Sequence, residues 1–282
     1  MASSADTPRA RALGAELRDA RARAGLTQRA LAALIGGKCT SSHIARWENG
    51  KLIPSIEDTA TLLQALGVRG GERERLLELA RDAHDPNWLA PGVDRQFAAL
   101  TEYERTATTI INVEPLVIPG LMQTYDYARE LIAASGVPIG EAEQRAQMRA
   151  GRQHVLTRSK GPRFIAFVGE YALRYPLCSP EVMADQLEHL LALGERGNVD
   201  LHVMPLERPV LPFVVGSWAL MEFARTKPVV YLDHYQSSVT ITDRKSVAHY
   251  QDAANTLRDA AMSPGESAKL IASILEERRE RP

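Results

Sequence analysis

Leu26-Thr27-Gln28-Arg29-Ala30-Leu31-Ala32-Ala33-Leu34-Ile35, a Gly36-Gly37 turn, then Thr40-Ser41-Ser42-His43-Ile44-Ala45-Arg46-Trp47-Glu48-Asn49-Gly50 decide the fold of the N-terminal part. Thr27 is a good N-cap for a helix that would bury Leu31, Ala32, Leu34 and Ile35. Thr40 can cap a second helix that buries Ile44 and Trp47, three positions apart. Ser41, Ser42, His43 and Arg46 then fall on its outer face. Gly50 can take the left-handed conformation that stops a helix, and Pro54 prevents restart. Two short helices, a tight turn and a small polar outer face with one arginine make the layout of a helix-turn-helix.

Working outward, Arg9 or Ala10 to Ala24 reads as a preceding helix with Leu13 and Leu17 on one face and Gly25 as its stop. Ile56 to Leu66, with Leu62, Leu63 and Leu66, and Glu72 to Ala83, with Leu76, Leu77 and Leu79, read as two further helices. The five-helix module, residues 1–84, is expected to be all-α. Asp85-Pro86-Asn87-Trp88-Leu89-Ala90-Pro91-Gly92 reads as a linker over 85–92.

The remainder, 93–282, alternates helical and strand periods, so the chain as a whole is expected to be α+β. Helices are expected at Val93–Arg105, from Pro119, at Glu141–Arg158 and after Ser179-Pro180. Strands are expected at 107–113, 164–168, 199–204, 216–223, 229–232 and 239–242. The last helix opens with Ser263-Pro264-Gly265-Glu266, a capping box with proline at the first helical position.

The module resembles the phage-repressor/Cro-like (XRE) helix-turn-helix family from about Leu13 to Val68. Thr27-Gln28, Leu31-Ala32, Ile44, Arg46-Trp47-Glu48-Asn49-Gly50 and Pro54-Ser55 carry the resemblance. The segment between Gln28 and Ile44 is about two residues longer than the family pattern, the excess lying at Gly36-Gly37-Lys38-Cys39. The resemblance implies that Arg21 pairs with Glu48 to pin the first helix to the recognition helix, and that Gln28 positions a phosphate. Glu114-Pro115-Leu116-Val117-Ile118-Pro119-Gly120-Leu121-Met122-Gln123-Thr124 with Tyr127-Ala128-Arg129 is similar to a signature of actinobacterial antitoxin-like (Scr-type) XRE regulators, a resemblance that covers about Val93 to Glu277. Arg149, Arg152-Gln153, Leu156-Thr157, Glu170 and Leu173, Gln186-Leu187 and Leu190, and Val203-Met204-Pro205-Leu206 follow in that group's order.

These readings make residues 1–84 a DNA-binding domain whose candidate contacts are Gln28, Lys38, Thr40, Ser41, Ser42, His43, Arg46, Asn49 and Lys51. Arg46 is the candidate for base readout, since a guanidinium grips guanine O6 and N7 together; a phosphate contact is the plainer role. Asn49 and Lys51 are expected at the DNA backbone. Residues 93–282 are expected to regulate, to dimerise or to bind a partner. The chain is expected to be a sequence-specific transcriptional regulator binding paired half-sites of double-stranded DNA as a homodimer. The alternative is an antitoxin-like interaction protein that binds and neutralises a small partner protein encoded nearby. A small-molecule ligand is left open. Leu187, Leu190 and Leu191, or Leu270, Ile271, Ile274 and Leu275, could form the dimer seam or belong to the domain core.

Composition agrees with a globular chain: 45% hydrophobic, 24% charged, and a net charge of −1. Residues 1–66 carry nine Lys/Arg against six Asp/Glu, so +3 lies on the module and −4 on the rest. No apolar run approaches the ~20 residues of a membrane span, so no membrane association is expected. Met1 to Thr7 lacks the apolar stretch of a secretory signal, and Cys39 and Cys178 have no spaced partners. A cytoplasmic location and neither metal nor cofactor are expected. Glu170, His202, Asp233 and His234 have no catalytic spacing, and phosphate loops and nucleophile elbows are missing, so no enzymatic activity is expected.

Overall fold

A computed structural model of the chain describes residues 8–36, 39–81, 83, 88–91, 93–208, 210–234 and 237–280. It divides into two compact units, Met1–Thr106 with Arg225–Val247, and Ala107–Ala224 with Ala248–Pro282.

The first unit opens with α1 (Pro8–Arg23), α2 (Gln28–Leu34), α3 (Ser41–Glu48), α4 (Ile56–Ala65) and α5 (Gly70–Arg81). Three of these starts follow from a capping hydroxyl. Thr27 accepts from the Ala30 N–H at 3.1 Å, Thr40 from that of His43 and Ser55 from that of Asp58. Left-handed glycines close the turns after α1, α2, α3 and α4, at Gly25, Gly36, Gly50 and Gly67. Leu13, Leu17, Leu31, Ile44, Trp47, Leu63 and Leu76 meet in the core. Leu34, expected there, is 58% exposed. The buried stripe of α2 runs through Leu31, Ala32 and the partly buried Ile35, and position 34 lies off its edge.

The first unit continues with β1 (Trp88–Pro91) and α6 (Val93–Thr106) and recruits β6 (Val229–His234) and β7 (Ser237–Ile241). β7 pairs antiparallel with β1 and with β6, in registers Leu89↔Val239 and Leu232↔Val239. Part of the expected linker is therefore a strand, 88–91; its other residues lie outside the described ones.

The second unit holds β2 (Thr109–Glu114), α7 (Tyr125–Ala134), α8 (Ile139–Arg152), α9 (His154–Thr157), β3 (Arg163–Gly169), α10 (Glu170–Arg174), α11 (Pro180–Gly194), β4 (Val199–Met204), α12 (Leu211–Val214) and β5 (Trp218–Glu222). α13 (Arg244–Ala260) and α14 (Pro264–Glu280) end the chain. In the sheet β2 runs parallel to β3, β3 parallel to β4, and β2 antiparallel to β5. Phe164 to Gly169 are all buried, as in a central strand covered on both faces. The fold class is α+β, a helical N-terminal module followed by a mixed sheet with helices.

Two expectations in this unit need correction, and one open alternative is decided. The helix expected from Pro119 is a 3-10 turn at Gly120–Met122, and α7 starts only after Thr124, whose hydroxyl accepts from the Tyr127 N–H. The helix expected over Glu141–Arg158 is broken at Gln153, between α8 and α9. The stripes left as either dimer seam or domain core pack against each other within one chain: α11 contacts α14, and Leu187, Leu190, Ile271, Ile274 and Leu275 are at most 5% exposed, while Leu191 and Leu270 are half-buried. The five buried residues are core.

Candidate nucleic-acid interface

α3 is divided cleanly. Ile44, Trp47 and Glu48 are buried, while Ser41, Ser42, His43 and Arg46 are exposed, as is Lys51 beyond the helix. The buried side is fixed by close backbone approach to α1. A Cβ on Gly14 would lie 2.4 Å from the Trp47 carbonyl oxygen, and one on Gly50 would lie 2.9 Å from Cγ of Arg11. Only glycine permits that spacing, and Gly50 also has φ +64°.

An ion pair orients the helix end. Arg21 donates to Glu48 through Nε (2.6 Å) and Nη2 (3.0 Å), a two-pronged contact with Glu48 2% exposed. Arg21 also donates to the Leu26 carbonyl at 2.7 Å, tying the α1–α2 turn to the same carboxylate. The hydrogen bond to Glu48 raises the Arg21 guanidinium pKa. Gln28 joins the pair, its Nε2 donating to Glu48 Oε2 at 2.7 Å. The amide expected to hold a phosphate is thus turned toward Glu48 in the free protein. A first-turn glutamine and a glutamate twenty residues apart gave no sign of that bond.

Other candidate side chains are also engaged. Thr40 N–H donates to His43 Nδ1 at 3.2 Å while His43 N–H donates to Thr40 Oγ1 at 3.3 Å, a reciprocal cap. Asn49 donates to the Ala45 carbonyl (2.7 Å) and accepts from Arg18 (3.2 Å). Lys38 lies outside the described residues. Among the described residues, the side chains of Ser41, Ser42, Arg46 and Lys51 make no hydrogen bond or ion pair, and nor does that of exposed Arg29 on α2.

The positive charge of the module is accordingly less available than its count suggests. Arg11 is buried, 5.4 Å above the Tyr103 ring, and donates to Thr226 at 2.7 Å. Arg18 pairs with Glu102 of α6 at 2.8 Å and also donates to the Glu48 carbonyl. Arg23 pairs with Glu72. Burial alone would raise the Glu102 carboxyl, but hydrogen bonds from Arg105 and Arg18 hold it below the usual carboxylate range. Sequence reasoning missed Arg11, Arg18 and Glu102. Their partners lie 84 to 215 positions away and leave no local pattern.

In the second unit the 114–129 signature is held by buried amides. Gln123, 2% exposed, donates to the Ile118 carbonyl (2.6 Å) and accepts from Arg149 (2.8 Å). Gln186 of α11 donates to the Met122 carbonyl and accepts from the Thr124 N–H, both at 2.7 Å. Ile118 N–H donates to the Tyr127 hydroxyl, and burial pushes that phenol's pKa up. An irregular buried segment has no ladder to satisfy its backbone, and these side chains supply the partners. Arg145 of α8 pairs with Glu141.

The residues considered for catalysis fall on different elements. Glu170 opens α10 and binds Arg174 at 2.7 Å. His202 in β4 has Nδ1 2.9 Å from the Met262 carbonyl oxygen and stacks on Phe167. Asp233 and His234 end β6, in the first unit. Among the described residues no cluster of His, Cys, Asp and Glu could hold a metal, and no helix is long and apolar enough to cross a membrane.

Comparison with known proteins finds two family matches. Residues 12–76 match a family model described as a helix-turn-helix domain. Residues 97–273 match one described as a domain of unknown function, DUF5753. No curated protein sequence matches the chain. Among solved structures it is similar to TrmBL2, described as an archaeal chromatin protein with a novel mode of DNA binding, at 13% identity and a TM-score of 0.32. That match covers 68% of this chain and 61% of the other, so the chain spans less than two thirds of that protein, and a TM-score so low does not amount to a shared fold. The DUF5753 match takes in well over half of the 282 residues, so the chain belongs to the family defined by that domain, here preceded by a helix-turn-helix domain.

Proposed function

We propose that the protein is a sequence-specific transcriptional regulator that reads double-stranded DNA with the outer face of α3. The observation that carries this reading is the uncommitted set on that face. Ser41, Ser42, Arg46 and Lys51 are exposed and have no internal side-chain partner among the described residues, whereas their neighbours are buried or capped. Arg46 can present two N–H groups to guanine O6 and N7, and the serine hydroxyls suit several base edges. Lys51 and Arg29 meet phosphates, and Gln28 contributes by steadying Glu48. Lys38, in the longer turn, and Thr40, His43 and Asn49 complete the proposed contact set, the last three chiefly by shaping the ends of α3.

The protein acts as a dimer on two half-sites in this reading, because a module with a net charge of only +3 binds a single half-site weakly. With the α11 and α14 stripes used up in the core, the dimer contact lies elsewhere on the chain. Its place of action is the cytoplasm and its role is regulatory rather than catalytic. The antitoxin-like alternative, with a small partner protein encoded nearby, rests on the resemblance of the 114–129 signature and the motif residues that follow it.

The test is selection of duplexes by the full chain from a random pool, followed by sedimentation of the complex. The reading expects enrichment of an inverted repeat with half-sites about 34–36 Å apart, bound by two chains. Recovery of unenriched sequence would remove it.

A further inference from the structure

The carboxyl ends of the parallel strands β2, β3 and β4 open on a cavity of about 310 Å³ walled by Leu116, Tyr171, Met204, Leu206, Phe213 and Val214. Open sheets with parallel strands hold ligands in this position, outside the strand ends. Four of the wall side chains are large, apolar and still in water: Leu116 is 61% exposed, Leu206 59%, Val214 55% and Tyr171 38%. Apolar surface gathered around one concavity marks a binding site rather than scattered surface hydrophobics.

The charges of the wall indicate the ligand's head group. Glu170 is spent: one oxygen accepts from Arg174 Nε at 2.7 Å and the other from the Leu206 N–H at 3.2 Å. Ser217 is spent too, its hydroxyl donating to Glu114 at 2.6 Å. Arg208 also lines the cavity, is exposed, and its side chain makes no hydrogen bond or ion pair among the described residues. It is felt at longer range by Glu266, whose carboxylate is engaged with Ser263. The wall thus offers an apolar bed and one uncommitted cation.

We propose that this cavity binds an amphipathic monocarboxylate, its aliphatic or aryl-alkyl body on Leu116, Tyr171, Leu206 and Val214 and its carboxylate at Arg208. The volume falls at the small end of ligand pockets, roughly 300–1,000 Å³. The inference goes beyond the DNA-binding reading and does not depend on it, because ligand binding is measured directly, without DNA.

Calorimetric titration of the full chain with octanoate, nonanoate, decanoate, decanol and decyltrimethylammonium, each below its aggregation concentration, tests it. Expected are one site per chain, about fourfold tighter binding for each added methylene until the cavity is full, and decanoate several-fold tighter than the other two decyl compounds. Arg208→Gln should bring decanoate down to the affinity of decanol. Val214→Asp should weaken all of them, with an unchanged circular-dichroism spectrum. Equal affinity of the wild type for decanoate and decanol, full binding by Val214→Asp, or no binding of any alkyl probe would overturn the proposal. So would sedimentation showing that Val214→Asp converts a dimer to a monomer, since a second copy would then occupy the cavity face.

Discussion

Replacing Glu48 by methionine should unfasten α3, and the structure sets the size of the effect. Glu48 is 2% exposed and accepts from Arg21 Nε at 2.6 Å, Arg21 Nη2 at 3.0 Å and Gln28 Nε2 at 2.7 Å. Breaking a buried pair strands the surviving charge at a cost of about 3–5 kcal/mol. After Glu48→Met the survivor is Arg21, which is 16% exposed and keeps the Leu26 carbonyl, so the loss falls near the lower figure. After Arg21→Met the survivor is a carboxylate sealed from water with only the Gln28 amide beside it, and the loss approaches the upper figure. Replacing both strands no charge. It leaves the Gln28 amide short of an acceptor, an effect of about 1–3 kcal/mol. Amide hydrogen exchange of residues 44–49 in the full chain reads the opening energy of α3 without requiring the two units to unfold together. The expected result is a double variant that loses less than either single one. Losses that add to within about 0.5 kcal/mol would refute the coupling.

Three further perturbations follow from the packing. Gly14→Ala would drive a Cβ to 2.4 Å from the Trp47 carbonyl oxygen, so exchange in α3 should speed up by an overpacking penalty of about 1–3 kcal/mol; unchanged exchange would contradict the close α1–α3 approach. The Glu102 carboxyl titrates below its ordinary value of about 4.3, so its stabilisation is complete above that pH and lost as the pH falls through the lower folded value. Glu102→Gln should therefore be less stable than wild type at pH 7, with the gap closing on acidification below about pH 4; a gap independent of pH would exclude the Arg18–Glu102–Arg105 cluster as its source. Gln123→Leu leaves the Ile118 carbonyl and Arg149 each short of a partner, about 1–3 kcal/mol apiece, and should lower the thermal midpoint. A midpoint equal to wild type would mean that the buried amides do not hold the segment.

The module was legible because its signals are local. Thr27, Thr40 and Ser55 cap, Gly25, Gly50 and Gly67 stop, and Leu13, Leu17, Ile44 and Trp47 repeat at helical spacing. The strands at 163–169 and 199–204 were legible for the same reason, as short apolar runs between turn residues. Information that depends on distant pairing was not legible. The return of 225–247 to the N-terminal unit rests on β7 pairing with β1, about 150 residues earlier, and nothing in either strand names the other. The outer face of α3 could be drawn from its period. That Gln28, Thr40, His43 and Asn49 already have partners, while Ser41, Ser42 and Arg46 have none among the described residues, needed the three-dimensional arrangement. Counting charge misled for the same reason: Arg11, Arg18 and Arg21 serve the fold.

The most direct test of the account is Arg46→Ala in the full chain, titrated over a range of salt against a selected operator and its single-base variants. The account expects a loss of about 1–3 kcal/mol on the intact operator and relaxed preference at one base pair in each half-site. Lys51→Ala should instead weaken all sequences alike and reduce the salt slope by about 1 for each phosphate that Lys51 neutralises. Unchanged affinity and unchanged base preference in Arg46→Ala would contradict the assignment of α3 as the reading helix.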